Sequence, residues 1–363
     1  MGRMTAIAAM RLGMSVRTLS PTPAGPVAGL GEAMVGDWTD PAVLRRFADG
    51  CDAITVESEW APAELLAPVL RAGVRLYPTP ATLHTIRHKG RQKMALREGG
   101  LPTADFRLAA TLGDAQIAAQ ALNWPVVLKR FEGSYDGYGN GVAHNADELA
   151  DLWPRIAGTD GLLVEAMVSF RQELSVLVVR TESGHKVAYP AAHTEQRNHR
   201  CHAVVVPASL SPALASRAET VALAAADTVG SVGILGVELF ETDDDQILVN
   251  ELAPRPHNTG HYSIEGSHTS QFENHARAVV GWPLGDPGLR APVAVMINVL
   301  GTRSGPVSSD SMAAALEVPG VSIHLYGKEE SRPDRKMGHV TATGADAGEV
   351  RARAERAASL IVL

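Results

Sequence analysis

In the first eighty residues, short apolar runs alternate with amphipathic stretches. Thr5 to Leu12 carries helical spacing and stops at Gly13, and Ser15 to Leu19 follows as a strand. Asp40 to Ala48 and Ala63 to Arg71 read as helices, with the apolar strand Ala53 to Val56 between them. Strands alternating with helices predict a parallel sheet covered by helices. The prolines of Leu76-Tyr-Pro-Thr-Pro80 disfavour helix at the residues before them and mark a linker. One basic helix is predicted next, from Ala81 to Glu98, ended by Gly99-Gly100. The pattern then changes. Val126 to Arg130 is an apolar strand, followed by a Gly-rich tract, Gly141 to Ala143, a helix from Asp147, and the strand-like run Leu162 to Met167. Ala213 to Val229 is a helix rich in small residues, and Val293 to Leu300 is a strand with mixed α and β beyond it. The chain divides into residues 1–80, 81–285 and 286–363, and its class is α/β (α+β).

Composition narrows the possibilities. With 363 residues the chain outgrows one simple core, and its 45% hydrophobic and 20% charged content is that of a soluble enzyme. A net charge of −7 excludes a general nucleic-acid binder while leaving room for a local basic pocket. The only cysteines, Cys51 and Cys201, are far apart and lack metal-ligand spacing, which fits a reducing compartment. No apolar run reaches the ~18–20 residues that span a bilayer. Met1 to Leu12 lacks the apolar block and cleavage site of a signal peptide, so no membrane role is expected and the cytoplasm is the expected location.

Four features carry chemistry. Glu238, in Gly236-Val-Glu-Leu-Phe240, and Glu251, in Ile247-Leu-Val-Asn-Glu251, flank the polar run Thr242-Asp-Asp-Asp245, which reads as a hairpin turn. A turn centred between Asp244 and Asp245 puts the two glutamates opposite each other, ~5 Å apart, where like charges repel unless a divalent cation sits between them. In that register Asn250 points to the other face. Lys129 ends a strand beside Gly133-Ser-Tyr-Asp-Gly-Tyr-Gly-Asn-Gly141, a tip whose backbone N–H groups can fold over phosphates. Pro254-Arg-Pro-His-Asn-Thr-Gly-His261 sets donors in a stiff loop suited to an anionic intermediate. Tyr326 to His339 gathers Lys328, Arg332, Arg335 and Lys336 in an acidic protein, as a substrate phosphate requires. Alone, each feature also has a plain structural reading: a solvated strand face, a turn, a polar loop, a charged turn.

In this order and at these separations the motifs resemble the ATP-grasp superfamily and, within it, the N5-carboxyaminoimidazole ribonucleotide synthase family. The resemblance runs from Gly2-Arg-Met4 almost to the end. Its most specific pieces are Asn250 to His261, Tyr135-Asp-Gly137, Thr269-Ser-Gln-Phe-Glu273 and Arg335-Lys-Met-Gly-His339. It implies an ATP-grasp fold: a Rossmann-like pre-ATP domain (1–80), an ATP-grasp domain of two lobes (81–285) and a small C-terminal domain (286–363). It further implies ATP and Mg²⁺ as cofactors, aminoimidazole ribonucleotide and bicarbonate as substrates, and a homodimer. By matching position, Lys89 and Lys129 meet phosphates, and Ser134, Tyr135, Asp136, Gly137 and Gly139 belong to the covering loop. Glu165, Ala166, Met167 and Val168 form the hinge at adenine, Glu173 binds ribose, and Asn250 lies at the nucleotide. Glu238 and Glu251 hold magnesium, and Arg255, His257 and Asn258 face the bicarbonate-derived intermediate. Tyr135, Asp136, Lys328 and Arg335 face the ribonucleotide.

Some positions depart from the family pattern. His88 stands where an acid is usual, Ser134 and Asp334 where glycine is, and Glu59-Trp60 where a turn contains asparagine. Asp334 is a residue type that accepts a left-handed conformation. The family also begins with a strand and a Gly-rich turn before Gly-Arg-Met, whereas Met1 directly precedes these residues here. The pre-ATP domain is therefore expected to be N-terminally truncated, its first strand missing because a start was assigned too late. The alternatives are another ATP-grasp carboxylate–amine ligase of purine metabolism, such as a formate-using transformylase, or an inert nucleotide-binding homologue.

Overall fold

The computed structural model describes every residue except 24, 62, 71–72, 134–137 and 308–310. In the first region, Arg17–Ser20 pairs in parallel with Glu32–Val35, and Ala53–Thr55 in parallel with Arg75–Tyr77. Parallel neighbours need crossover connections, supplied for the second pair by helix Ala63–Leu70. Leu44, Ile54, Val69, Leu76 and Leu83 close one core beneath these elements.

The single helix expected from Ala81 to Glu98 is two helices, Pro80–Arg87 and Lys89–Glu98. His88 separates them with an extended backbone (φ −107°, ψ 109°). Its ring nitrogen Nδ1 accepts from the Arg91 N–H at 3.2 Å, satisfying one free donor of the second helix, while the ring stacks on Phe131. The break puts Lys89 at the start of the second helix, with Gln92 and Lys93 one turn on.

Two sheets follow. Phe106–Ala109, Leu162–Ala166, Val126–Arg130 and Asn140–Ala143 form, in that order, a four-stranded antiparallel sheet. Helices Leu112–Leu122 and Ala146–Ile156 cover it, burying Ala115, Val126, Leu128, Leu149 and Ile156. The larger sheet has nine strands and runs from its edge strand Ile247–Ala253 through Gly233–Thr242 and Phe170–Arg180 to the C-terminal strands. Within Phe170–Arg180, residues 174–179 are buried on both faces because both are covered. Leu174, Val176 and Val178 meet helix Pro212–Thr228, and Leu177 and Val179 join Tyr189 and Ala278 on the other side. The strands Val293–Leu300, Lys336–Gly344 and Val321–Leu325 continue this sheet, backed by helix Ala347–Leu360. Among the described residues, no helix is long and apolar enough to cross a membrane.

Candidate active site

Glu238 and Glu251 are directly paired on adjacent antiparallel strands. The route to that pairing differs from the expected one. Leu239 faces Val249, Phe240 faces Leu248 and Glu241 faces Ile247, so the turn centres on Asp244, and a bulge at Asn250 restores the glutamate pair. The bulge also turns Asn250 toward the site: the Lys129 ammonium donates to its Oδ1 at 3.0 Å, correcting the expectation that Asn250 points away. Glu238 and Glu251 keep 35% and 38% of their side-chain surfaces open, enough to meet a ligand. Burial first, and then the Glu251 charge, push the Glu238 carboxyl up to about 7.

Lysines from two elements surround this pair. The Lys89 ammonium lies 2.7 Å from Glu251, at the head of its helix. Glu165 is buried between Lys129, at 2.5 Å, and Lys93, at 2.8 Å. Burial alone would raise the Glu165 carboxyl, but Lys129 and Lys93 outweigh it and hold it at about 2. Burial lowers Lys93 to about 8 despite its partner. Sequence reasoning missed Lys93, although its spacing of four from Lys89 places both on one helix face. Lys129 sits on the four-stranded sheet and Asn250 on the nine-stranded one, so their bond joins the two lobes.

The other expected nucleotide residues lie around this junction. Glu165 directs its carboxylate to the lysines, while Ala166 ends the strand and Met167 is exposed, followed by the half-buried Val168. Beside them Phe170 stacks on Phe240 at 4.5 Å. Glu173, paired with Phe240 in the ladder, has its carboxyl raised by burial and is hydrogen-bonded to Gln196. Gly139 takes φ 78°, and its carbonyl accepts from the Arg130 N–H at 2.8 Å. Ser134, Tyr135, Asp136 and Gly137 lie outside the described residues.

The loop after Glu251 folds back onto the pair. Arg255 forms a two-point ion pair with Glu59, with Nη2 to Oε1 at 2.9 Å and Nε to Oε2. Sequence reasoning registered Glu59 only as a departure from the family pattern, since nothing local reveals a partner so distant in the chain. His257 Nδ1 bonds the Thr259 hydroxyl at 2.8 Å, Thr259 bonds Ser175 at 2.6 Å, and His257 Nε2 lies 3.4 Å from Glu238. Burial, then the Arg255 charge, lowers His257 to about 3, so its ring is neutral. The ring lies against Gly236, where a Cβ would sit 2.9 Å from its Cγ. Asn258 exchanges amide hydrogen bonds with Asn298 at 2.9 and 2.7 Å, so its side chain is already engaged.

The basic motif arrives on the strand Lys336–Gly344 and the turn before it. Asp334 takes φ 67°, the left-handed conformation its residue type accepts, and pairs with Arg200 at 3.3 Å. Lys328 donates to the Lys336 carbonyl at 2.6 Å, and Arg335 to the Glu330 carbonyl at 2.7 Å. The Lys336 charge is felt by both Glu238 and His257, which places the motif beside the acidic pair.

Two lobes whose lysines, bulged asparagine and facing carboxylates converge at their junction define an ATP-grasp ligase. Residues 94–272 match the ATP-grasp domain family, residues 1–87 the ribonucleotide synthetase preATP-grasp domain, and residues 294–353 the phosphoribosylaminoimidazole carboxylase C-terminal domain. The N5-carboxyaminoimidazole ribonucleotide synthase of Mycobacterium bovis is 40% identical over 365 aligned residues, covering 99% of this chain and 85% of that protein. The crystal structure of an N5-carboxyaminoimidazole ribonucleotide synthetase in complex with ADP superposes with a TM-score of 0.91 at 33% identity, over 98% of this chain and 93% of that one. The Aspergillus clavatus synthase in complex with ADP and 5-aminoimidazole ribonucleotide gives 0.90 at 29% identity, over 99% and 95%. The chain belongs to the N5-carboxyaminoimidazole ribonucleotide synthase family.

Proposed function

We propose that this chain uses ATP and bicarbonate to carboxylate the exocyclic amine of 5-aminoimidazole ribonucleotide, releasing ADP and phosphate, as a ligase of purine biosynthesis. The observation that carries the reading is the convergence of Glu238 and Glu251 with Lys89, Lys129 and the neutral His257 at one lobe junction. Two facing carboxylates, one raised to about 7 by burial and by the charge of the other, are a hard-oxygen donor set whose repulsion a cation relieves, which fits Mg²⁺. Glu238 and Glu251 would hold the ion, which supplies charge neutralisation at the phosphates when bound.

In this reading Lys89 and Lys129 hold the phosphates in line, where positioning and electrostatics dominate phosphoryl transfer. Residues 165–168 meet the adenine, Glu173 the ribose, Asn250 the nucleotide, and residues 134–137 with Gly139 cover the phosphates. A bicarbonate oxygen attacks the γ-phosphorus, the bond to ADP breaks, and carboxyphosphate forms. Arg255 and the donors of residues 257–258 hold this anion. The amine then attacks the carboxyl carbon as the C–O bond to phosphate breaks, or attacks CO₂ released when that bond has already broken; in either case the new N–C bond forms and the departing phosphate takes up the amine proton. Tyr135, Asp136, Lys328 and Arg335 hold the ribonucleotide so that its amine points to that carbon. Closure over the phosphates keeps water from the intermediate. The reading extends to a homodimer, as the resemblance implies, and to the cytoplasm, where the thiols of Cys51 and Cys201 remain reduced.

The test is phosphate release from ATP by the purified chain, with bicarbonate and the ribonucleotide omitted in turn. Release that needs both is the expected result. Hydrolysis indifferent to both, or formate replacing bicarbonate, would assign the chain to a different reaction.

A further inference from the structure

Glu251 and His257 lie six residues apart on a segment that starts in the edge strand Ile247–Ala253, paired on one side with Gly233–Thr242, and then leaves the sheet; among the described residues no strand pairs with its outer side at Leu252 or His257. Two buried glutamine side chains occupy the places such a strand would take. The Gln92 Oε1 accepts from the Leu252 N–H at 3.0 Å, and its Nε2 donates to the Leu252 carbonyl at 3.3 Å and the Ile86 carbonyl at 3.0 Å. The Gln271 Oε1 accepts from the His257 N–H at 2.9 Å, and its Nε2 donates to the His257 carbonyl at 2.7 Å and to His261 Nδ1 at 3.1 Å. Each amide thus grips both the N–H and the C=O of one residue, as a strand partner would. Gln92 is 2% exposed and Gln271 0%, so no water substitutes for either grip.

We infer that Gln92 and Gln271 are positioning residues: two amide clamps that fix the segment carrying Glu251, Arg255 and His257 against the rest of the site. The inference rests on the functional reading of those three residues. Gln92 shares its helix with Lys89 one turn earlier, so its hold on Leu252 sets the distance between Lys89 and Glu251. Gln271 opens helix Gln271–Val279 and sets the ring of His257, whose other nitrogen faces Glu238. Gln271 packs against Gly260, where an added Cβ would lie 2.7 Å from its Cδ, so any larger residue there would press on the amide.

The experiment compares the full chain with Gln92→Met, Gln271→Met and Gln271→Glu. Methionine keeps the volume and removes the amide. Both methionine variants are expected to lose at least ~10-fold in kcat at saturating substrates, since small misplacement of reacting groups is costly. For Gln271→Met, ADP affinity stays within about twofold of wild type, whereas a loss of general folding would lower both. Amide hydrogen exchange accelerates locally, at Leu252 in the first variant and at His257 in the second. In Gln271→Glu the introduced carboxyl donates to the His257 carbonyl only while protonated. Its kcat is therefore highest at low pH and falls as pH rises, relative to wild type, and this readout stands even if Gln271→Met does not fold. Folded variants with wild-type kcat, or a Gln271→Glu profile parallel to wild type, would overturn the inference. A wild-type chain without ribonucleotide-dependent turnover would defeat the functional reading instead, and unchanged exchange at Leu252 and His257 would then reject the clamps independently.

Discussion

Glu251 faces Glu238 because Asn250, one residue before it, bulges out of the strand pair. The turn at Asp244 alone would set Glu238 opposite Asn250 and pair Glu251 with Val237, on the other face of the sheet. A one-residue shift moves every side chain beyond it to the opposite face, and the bulge makes that shift between Val249 and Glu251. It also leaves Asn250 free to reach Lys129 across the lobe junction.

That pairing makes Glu251 the sharpest single substitution. Glu251→Gln keeps the shape and removes one of two facing charges, so turnover should fall at least ~100-fold, the scale of losing an electrostatic partner in a transition state. The melting temperature should hold, because the repulsion with Glu238 is relieved. Steady-state kinetics with a thermal melt checks both, and a folded variant with near-wild-type turnover would remove Glu251 from the mechanism.

Gly236 tests the neighbouring histidine without touching it. A methyl group there meets His257 Cγ at 2.9 Å and its Cβ at 3.0 Å, atoms too close to the backbone to swing aside. Gly236→Ala should displace the ring and lower kcat about 10-fold, while ADP affinity measured by titration stays unchanged. Weakened ADP binding with an intact kcat would place His257 on the nucleotide instead.

Arg335→Ala separates the two substrates. Losing a charge-assisted contact to the ribonucleotide should weaken it by about 1.5–3 kcal/mol, seen as a raised KM for that substrate alone. Equal losses for ribonucleotide and ATP would show that the basic motif supports the whole site and not one ligand.

Buried histidines set the acid limit of stability. Burial holds His257 at about 3 and His275 at about 4, against an ordinary 6.5, and pushes His261 and His339 well below it. His275 is kept neutral by geometry as well, since its Nδ1 accepts from the Ile234 N–H at 3.0 Å and its Nε2 bonds Thr55 at 2.7 Å. As pH falls below 6.5 the unfolded chain takes up protons that the folded chain refuses, so stability falls with pH between 6.5 and about 4. His275 alone contributes a loss of about 3 kcal/mol once fully expressed. Thermal melts from pH 7 to 5 should show a steady decline that His275→Gln flattens; a constant melting temperature would contradict it.

The sequence alone exposes what local pattern determines. Strand Val126–Arg130, helix Pro212–Thr228 and strand Val293–Leu300 fall where their apolar spacing puts them. The left-handed backbone of Asp334 follows from residue type. The break at His88 was hidden because histidine is no general helix breaker; its ring cap and its stacking on Phe131 decide the matter. The glutamate pair was read correctly through a different turn centre, with the Asn250 bulge supplying the missing shift. Glu59 with Arg255 and Asn258 with Asn298 are tertiary pairs across long separations, and no local pattern announces them.

The fate of a bicarbonate oxygen tests the central claim most directly. If the site joins bicarbonate to the γ-phosphate, the attacking oxygen stays on phosphorus when the carboxyl group moves to the amine. With ATP, 5-aminoimidazole ribonucleotide and freshly dissolved ¹⁸O-bicarbonate in ordinary water, mass spectrometry of the released phosphate should find one ¹⁸O per phosphate. Phosphate carrying only ordinary oxygen, formed at the same rate, would mean that water attacks the γ-phosphate and that the site does not activate bicarbonate.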